Sequence, residues 1–129
     1  MSVKTILVID DEKDFGETVK MMLEAYNIYK VVTASNGKEG IKKAHMIKPD
    51  LILLDITMPE MNGIEALKLL KESSATVGIP VIMLTGHTED IFKIKAHQLY
   101  DEDYITKPVK TKELLARVEK VLERRKHNP

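Results

Sequence analysis

The chain has no cysteine among its 129 residues. Disulfides and thiolate metal sites are therefore excluded. It has no excess of either charge, since Lys+Arg and Asp+Glu are each 20. Such a balance argues against a general binder of nucleic acid or of a membrane surface. No aliphatic run exceeds four residues, far short of the roughly 18 that a membrane-spanning helix needs. The N-terminus lacks the apolar stretch of a signal peptide, so a cytoplasmic location is expected. There is no P-loop, no dinucleotide-binding glycine fingerprint and no serine-hydrolase elbow. His45, His87, His97 and His127 lack metal-ligand spacing and read as surface residues. Repeats, low-complexity tracts and linkers are missing too. The length suits one domain, residues 1–129 with a core over about 4–124. A domain of this size buries roughly two-thirds of its unfolded surface and needs no covalent staple.

What the chain does contain is organised around Leu51-Ile52-Leu53-Leu54-Asp55. Four consecutive aliphatic residues read as a parallel strand buried on both faces. The run ends on a carboxylate, where an open α/β sheet places its chemistry. Ile6–Ile9 is a similar run, ending on Asp10, Asp11 and Glu12; Val81–Leu84 is a third, ending on Thr85. Val31–Ala34 and Asp103–Thr106 read as shorter strands, the second an edge strand followed by Lys107-Pro108.

Helices are expected between them. Phe15, Val19, Met22, Leu23 and Tyr26 recur at helical spacing after the first strand. Asn36 with Glu39, and Asn62 with Glu65, have the spacing of capping boxes. Ile41, Ala44 and Ile47 or Lys48 carry the second helix until Pro49 stops it, and Ile64, Leu67 and Leu70 form the stripe of the third. A fourth helix begins at Thr88 and is poorly amphipathic. Thr111 caps the last, whose stripe is Leu114, Leu115, Val118, Val121 and Leu122. Five strands alternating with five helices define an α/β fold with a parallel sheet and helices on both faces.

Parallel strands bring their C-terminal ends to one edge. Asp10, Asp11, Asp55, Thr85 and Lys107 would therefore share one mouth. Clustered carboxylates repel, and a divalent cation relieves the repulsion; oxygen-only donors at a half-open site suit Mg²⁺. A lysine and a hydroxyl aimed at the same point suit a phosphoryl group. Asp55, on the middle strand, is the natural nucleophile, since carboxylates form aspartyl phosphates. Taken singly, Asp10 to Glu12 would read as acids favouring a helix dipole, and Tyr104 as a plain strand aromatic. The alignment of the acids with Asp55, Thr85 and Lys107 changes the first of these readings.

Asp10-Asp11, Asp55 with Met58-Pro59 and Gly63, Thr85, and Tyr104-Ile105-Thr106-Lys107-Pro108 together resemble the receiver domain of two-component response regulators. The likeness covers nearly the whole chain. It implies a flavodoxin-like (βα)5, doubly wound, five-stranded parallel sheet of order 2-1-3-4-5. By the same resemblance, Asp55 takes a phosphoryl group from the phosphohistidine of a sensor histidine kinase or phosphotransfer protein. Mg²⁺ is held directly by Asp11, Asp55 and the backbone carbonyl of Thr57, and through water by Asp10. Lys107 pairs with the phosphoryl oxygens, the Thr85 hydroxyl moves toward them, and Tyr104 turns inward. The face of the fourth helix, last strand and last helix then binds an output protein or domain. The Lys107-Pro108 bond would be cis. Thr57 and His87 would flank the water of self-hydrolysis, and His87 would make the phosphate lifetime pH-sensitive.

The chain departs from the family where Gly-Ala commonly precedes the last strand: Tyr100 and Asp101 stand there, and the edge they form with Glu102 and Asp103 is unusually acidic. Two further functions compete with that of a non-enzymatic signalling module. An aspartyl-phosphate phosphohydrolase would need a second acid at position 57, where Thr57 stands. A flavin carrier of the same fold would need a polar uncharged loop where Asp10, Asp11 and Glu12 are found.

Overall fold

The computed structural model describes residues 3–86 and 103–127. Five strands, β1 (Lys4–Ile9), β2 (Tyr29–Ala34), β3 (Leu51–Asp55), β4 (Val81–Thr85) and β5 (Asp103–Thr106), form one sheet. All neighbours pair in parallel and the order is β2-β1-β3-β4-β5. The helices described are α1 (Lys13–Glu24), α2 (Gly37–Ile47), α3 (Gly63–Glu72) and α4 (Thr111–His127). The helix expected to begin at Thr88 lies outside the described residues.

The pleat explains why the strands read as unbroken apolar runs. Ile6, Val8, Leu51, Leu53, Ile82, Leu84 and Ile105 pack on one face with Val19 and Leu23 of α1 and Leu114, Val118 and Val121 of α4. Their alternates Leu7, Ile9, Ile52, Leu54, Val81 and Met83 pack on the other with Ala44 of α2 and Ala66, Leu67 and Leu70 of α3. Each fully buried aliphatic side chain contributes about 1.5–3 kcal/mol of transfer free energy. Together the two layers make the central strands a rigid support.

Several local expectations shift. Tyr26 lies beyond the end of α1 and is exposed, as is Ile47 at the end of α2. The buried positions of α2 are Gly37, Gly40 and Ala44. A side chain at Gly40 would begin 2.5 Å from Cδ1 of Ile9, so glycine lets the helix lie close on β1. Lys48 ends α2 in a left-handed cap with φ of 45°, its N–H donating to the Ala44 carbonyl, and Pro49 follows because it cannot continue the helix. Thr111 is already helical, and the Lys110 carbonyl accepts the first helical bond from Leu114. The Asn62–Glu65 capping box is complete. At α2 only half forms: Asn36 accepts the Glu39 N–H, while the Glu39 carboxylate accepts from the Ser35 backbone and hydroxyl.

Register sets the site. Ile9 pairs with Leu54, and Leu54 with Met83. One step further along the strands, Asp10 and Asp55 come level. Thr85 lies one step beyond the Leu84 that pairs with Asp55, and opposite Thr106, so Lys107 follows immediately.

Candidate functional site

Asp10 and Asp55 are each 3% exposed, at the ends of β1 and β3. By strand alternation both fall on the face covered by α1 and α4, after Val8 and Leu53 respectively, and Lys107 does so after Ile105. That common parity is why three segments distant in sequence meet. The Lys107 ammonium lies 2.8 Å from Oδ2 of Asp10, 3.6 Å from Oδ1 of Asp55 and 3.5 Å from Oε1 of Glu12. Its backbone N–H donates to the Thr85 carbonyl at 2.7 Å, and the Lys107–Pro108 peptide is cis.

Both oxygens of Asp10 are engaged: Oδ1 accepts the Glu12 N–H at 2.9 Å and Oδ2 accepts from Lys107. Asp11 is exposed, and its carboxyl adds a smaller upward push on that of Asp55. Carboxylate oxygens of Asp10, Asp11 and Asp55 lie within 4.8 Å of one another. Burial, and then the Asp10 charge, push the Asp55 carboxyl up to about 7; Lys107 and the Thr57 backbone N–H oppose the rise only in part. Burial also pulls on the Lys107 ammonium, but the hydrogen bond to Asp10 and the charges of Asp55, Asp10 and Glu12 outweigh it and hold the lysine above its ordinary value. Four carboxylates, those of Asp10, Asp11, Glu12 and Asp55, around one ammonium leave an excess of three negative charges when all are ionised. The donor set is all oxygen, close and overcharged, and it fits a hard divalent cation.

The loop after β3 is closed from behind. The Gly63 N–H donates to the Ile56 carbonyl at 2.7 Å, and a side chain at Gly63 would begin 2.2 Å from the Asp55 carbonyl oxygen. No residue but glycine lets α3 start this close to the strand end. Glu60 has φ of 67°, and the Met61 N–H donates to the Pro59 carbonyl at 2.7 Å, a tight turn across one residue. Met58 is buried, and Met61 packs against the same core beside Gly37 at the start of α2.

Thr85 is fully buried, and by parity it follows Val81 and Met83 toward the face where Tyr104 packs. Thr57 is exposed on the loop. His87, Tyr100, Asp101 and Glu102 lie outside the described residues. The site also includes two residues that the sequence alone did not assign to it. Glu12 reaches Lys107, and the Phe15 ring lies under its ammonium, 4.2 Å from Nζ to the centroid. A helical side chain leans back over the preceding turn. An aromatic residue one turn after the acid pair was therefore a readable signal.

A five-stranded doubly wound parallel sheet with an acid cluster and a lysine at the strand ends defines a class of flavodoxin-like α/β domains. Comparison with known proteins places the chain within that class. Residues 6–119 match the model of the response regulator receiver domain, and the chain belongs to that family. Receiver domains generally bind Mg²⁺ at an acidic cluster and interact with histidine kinases and output partners. The chain is 41% identical over 121 residues to the alkaline phosphatase synthesis transcriptional regulatory protein PhoP of Bacillus subtilis, covering 94% of this chain and 49% of that protein. Among solved structures, a response regulator receiver domain protein from Clostridium thermocellum superposes with a TM-score of 0.87 at 30% identity, covering 98% of this chain and all of that one. Chemotaxis protein CheY4 of Vibrio cholerae gives 0.83 at 30% identity, covering 93% and 99%. The chain spans about half the length of PhoP and of the PhoB protein of Pseudomonas aeruginosa, which it also resembles. No described helix is long and apolar enough to cross a membrane.

Proposed function

We propose that the chain is the phosphoacceptor module of a two-component relay, with Asp55 as the residue that carries the phosphoryl group. The observation that carries this reading is the Lys107 ammonium set between Asp10 and Asp55 at 2.8 and 3.6 Å, beside a third carboxylate on Asp11. The donor would be the phosphohistidine of a sensor kinase or phosphotransfer protein. A carboxylate oxygen of Asp55 forms the new P–O bond as the P–N bond breaks, and the imidazole leaves with the electron pair. Lys107 then exchanges its carboxylate partners for phosphoryl oxygens and neutralises their charge.

Mg²⁺ would be held by Asp11, Asp55 and the Thr57 carbonyl, with Asp10 acting through water. The engagement of both Asp10 oxygens by Glu12 and Lys107 supports that indirect role. When bound, the ion supplies charge neutralisation to the phosphoryl oxygens. The Thr85 hydroxyl and the Tyr104 ring are assigned to the switch, and the surface around β5 and α4 to an output partner. Thr57 and His87 are assigned to the rate of self-hydrolysis. Residues 4–124 are taken as the core of a single domain whose role is relay and binding.

The test is direct. A small acyl phosphate should add one phosphoryl mass to the intact protein in the presence of Mg²⁺, and none when the ion is chelated. Asp55→Asn should take up none. Labelling of Asp55→Asn at the wild-type rate would refute the assignment.

A further inference from the structure

Phe15 lies outside the acid–lysine constellation, yet the face of its ring is turned to the one cation in it. The ammonium of Lys107 is 4.2 Å from the ring centroid, and its other charged neighbours are the carboxylates of Asp10, Glu12 and Asp55. Those three acids do not fix the lysine alone. Glu12 has a side chain 69% exposed and pulls toward water, while Asp55 loses its free carboxylate when it is esterified. Phe15 stands in the first turn of α1, half-buried and packed against the core face that α1 covers. Its ring is therefore held from behind by that core, and it excludes water from one side of the ammonium. Attraction to a ring face is not tied to one oxygen partner. Lys107 can thus trade carboxylate for phosphoryl oxygens while keeping its place.

We propose that Phe15 is a positioning residue for Lys107, holding the ammonium over the site through the exchange of partners. This rests on the phosphoacceptor reading above. Leucine would fill much of the same space and lose the ring face; tyrosine would keep it. In Mg²⁺-dependent labelling by a small acyl phosphate, Phe15→Leu should slow the initial rate at saturating donor about 3- to 10-fold, the range a partly desolvated cation–π contact corresponds to. The half-saturating donor concentration should stay as in wild type, and Phe15→Tyr should stay within about twofold of the wild-type rate. On a Lys107→Ala background, Phe15→Leu should add no further loss. By NMR, the ring current should shift the Lys107 ε-methylene protons upfield in the wild type and in Phe15→Tyr, and that shift should vanish in Phe15→Leu.

Wild-type rates in Phe15→Leu would overturn the inference. So would an equal fall on both backgrounds, which marks a merely structural role. Should leucine not sustain the fold, Phe15→Met, unbranched and without a ring face, takes its place under the same two criteria. A wild-type chain that takes no label would refute the phosphoacceptor reading itself, while the NMR shift would still report whether the ring holds the lysine.

Discussion

Asp55 keeps its proton to about pH 7 because burial and the Asp10 charge both disfavour the ion. An ordinary aspartate in the unfolded chain loses that proton near pH 4. Between those values unfolding releases a proton, so stability falls as pH rises through the window and levels off above it. Without a cation, Asp55→Asn should therefore stabilise the protein at pH 8, by on the order of 2–4 kcal/mol, and hardly at all near pH 4. Urea unfolding in chelator at the two pH values checks this. Mg²⁺ should then restore stability to the wild type at pH 8 far more than to Asp55→Asn. Much of this residue was legible: a carboxylate closing a four-residue aliphatic run is buried by the run itself. Its partners were less so. That Lys107 rests on Asp10 depends on register and pleat parity, which pattern alone does not contain. Glu39 shows the same limit, since the neighbouring Ser35 offers it two donors and draws it away from the Asn36 N–H.

Elements were read best where burial leaves its simplest trace. β1, β3 and β4 are apolar on both faces, so their ends, and hence Asp10, Asp55 and Thr85, could be located. Helix ends followed from Asn36, Asn62 and Pro49. Close approaches were invisible, because glycine says only that no side chain is there. Gly63 touches the backbone of Asp55 and Ile56, whereas a side chain at Gly78 would meet nothing within 4 Å. Gly63→Ala must push α3 off the strand end, and should destabilise the fold by about 1–3 kcal/mol and slow labelling of Asp55. Gly78→Ala should change neither by a measurable amount. Thermal unfolding and labelling rates of the pair separate the two cases. The outer edge of β2 is likewise closed by side chains the sequence did not flag: Glu24 accepts the Val31 N–H at 3.0 Å and Lys43 donates to the Thr33 carbonyl at 2.6 Å. Blocking an edge in this way discourages strand addition from another chain.

Among the described residues, charged contacts hold both ends of the sheet. The acids and Lys107 gather where the strands end. At the opposite end α4 is tied down by Arg124 on Asp103 and by Arg125 on the Asp50 carbonyl. Arg117 adds a bond to the Tyr104 carbonyl at 3.0 Å, so α4 grips β5 along its length. If Lys107 moves as proposed, that grip would carry the movement to the outer face, because Lys107 follows β5 directly. Lys107→Ala should still accept a phosphoryl group on Asp55 but fail to move the β5–α4 surface. Amide chemical shifts along 103–118 before and after labelling would show it, with shifts in the wild type and almost none in the variant. The family was legible from sequence because its acids, threonine and lysine each close a strand.

Locating the phosphoryl group bears most directly on all of this. Borohydride reduction of the labelled protein converts an aspartyl phosphate to homoserine, and peptide sequencing by mass then gives the position. Homoserine should be found at position 55 alone, and only when Mg²⁺ was present during labelling. Homoserine at position 10 or 11, or an unmodified position 55 in a protein that carries the added mass, would contradict it.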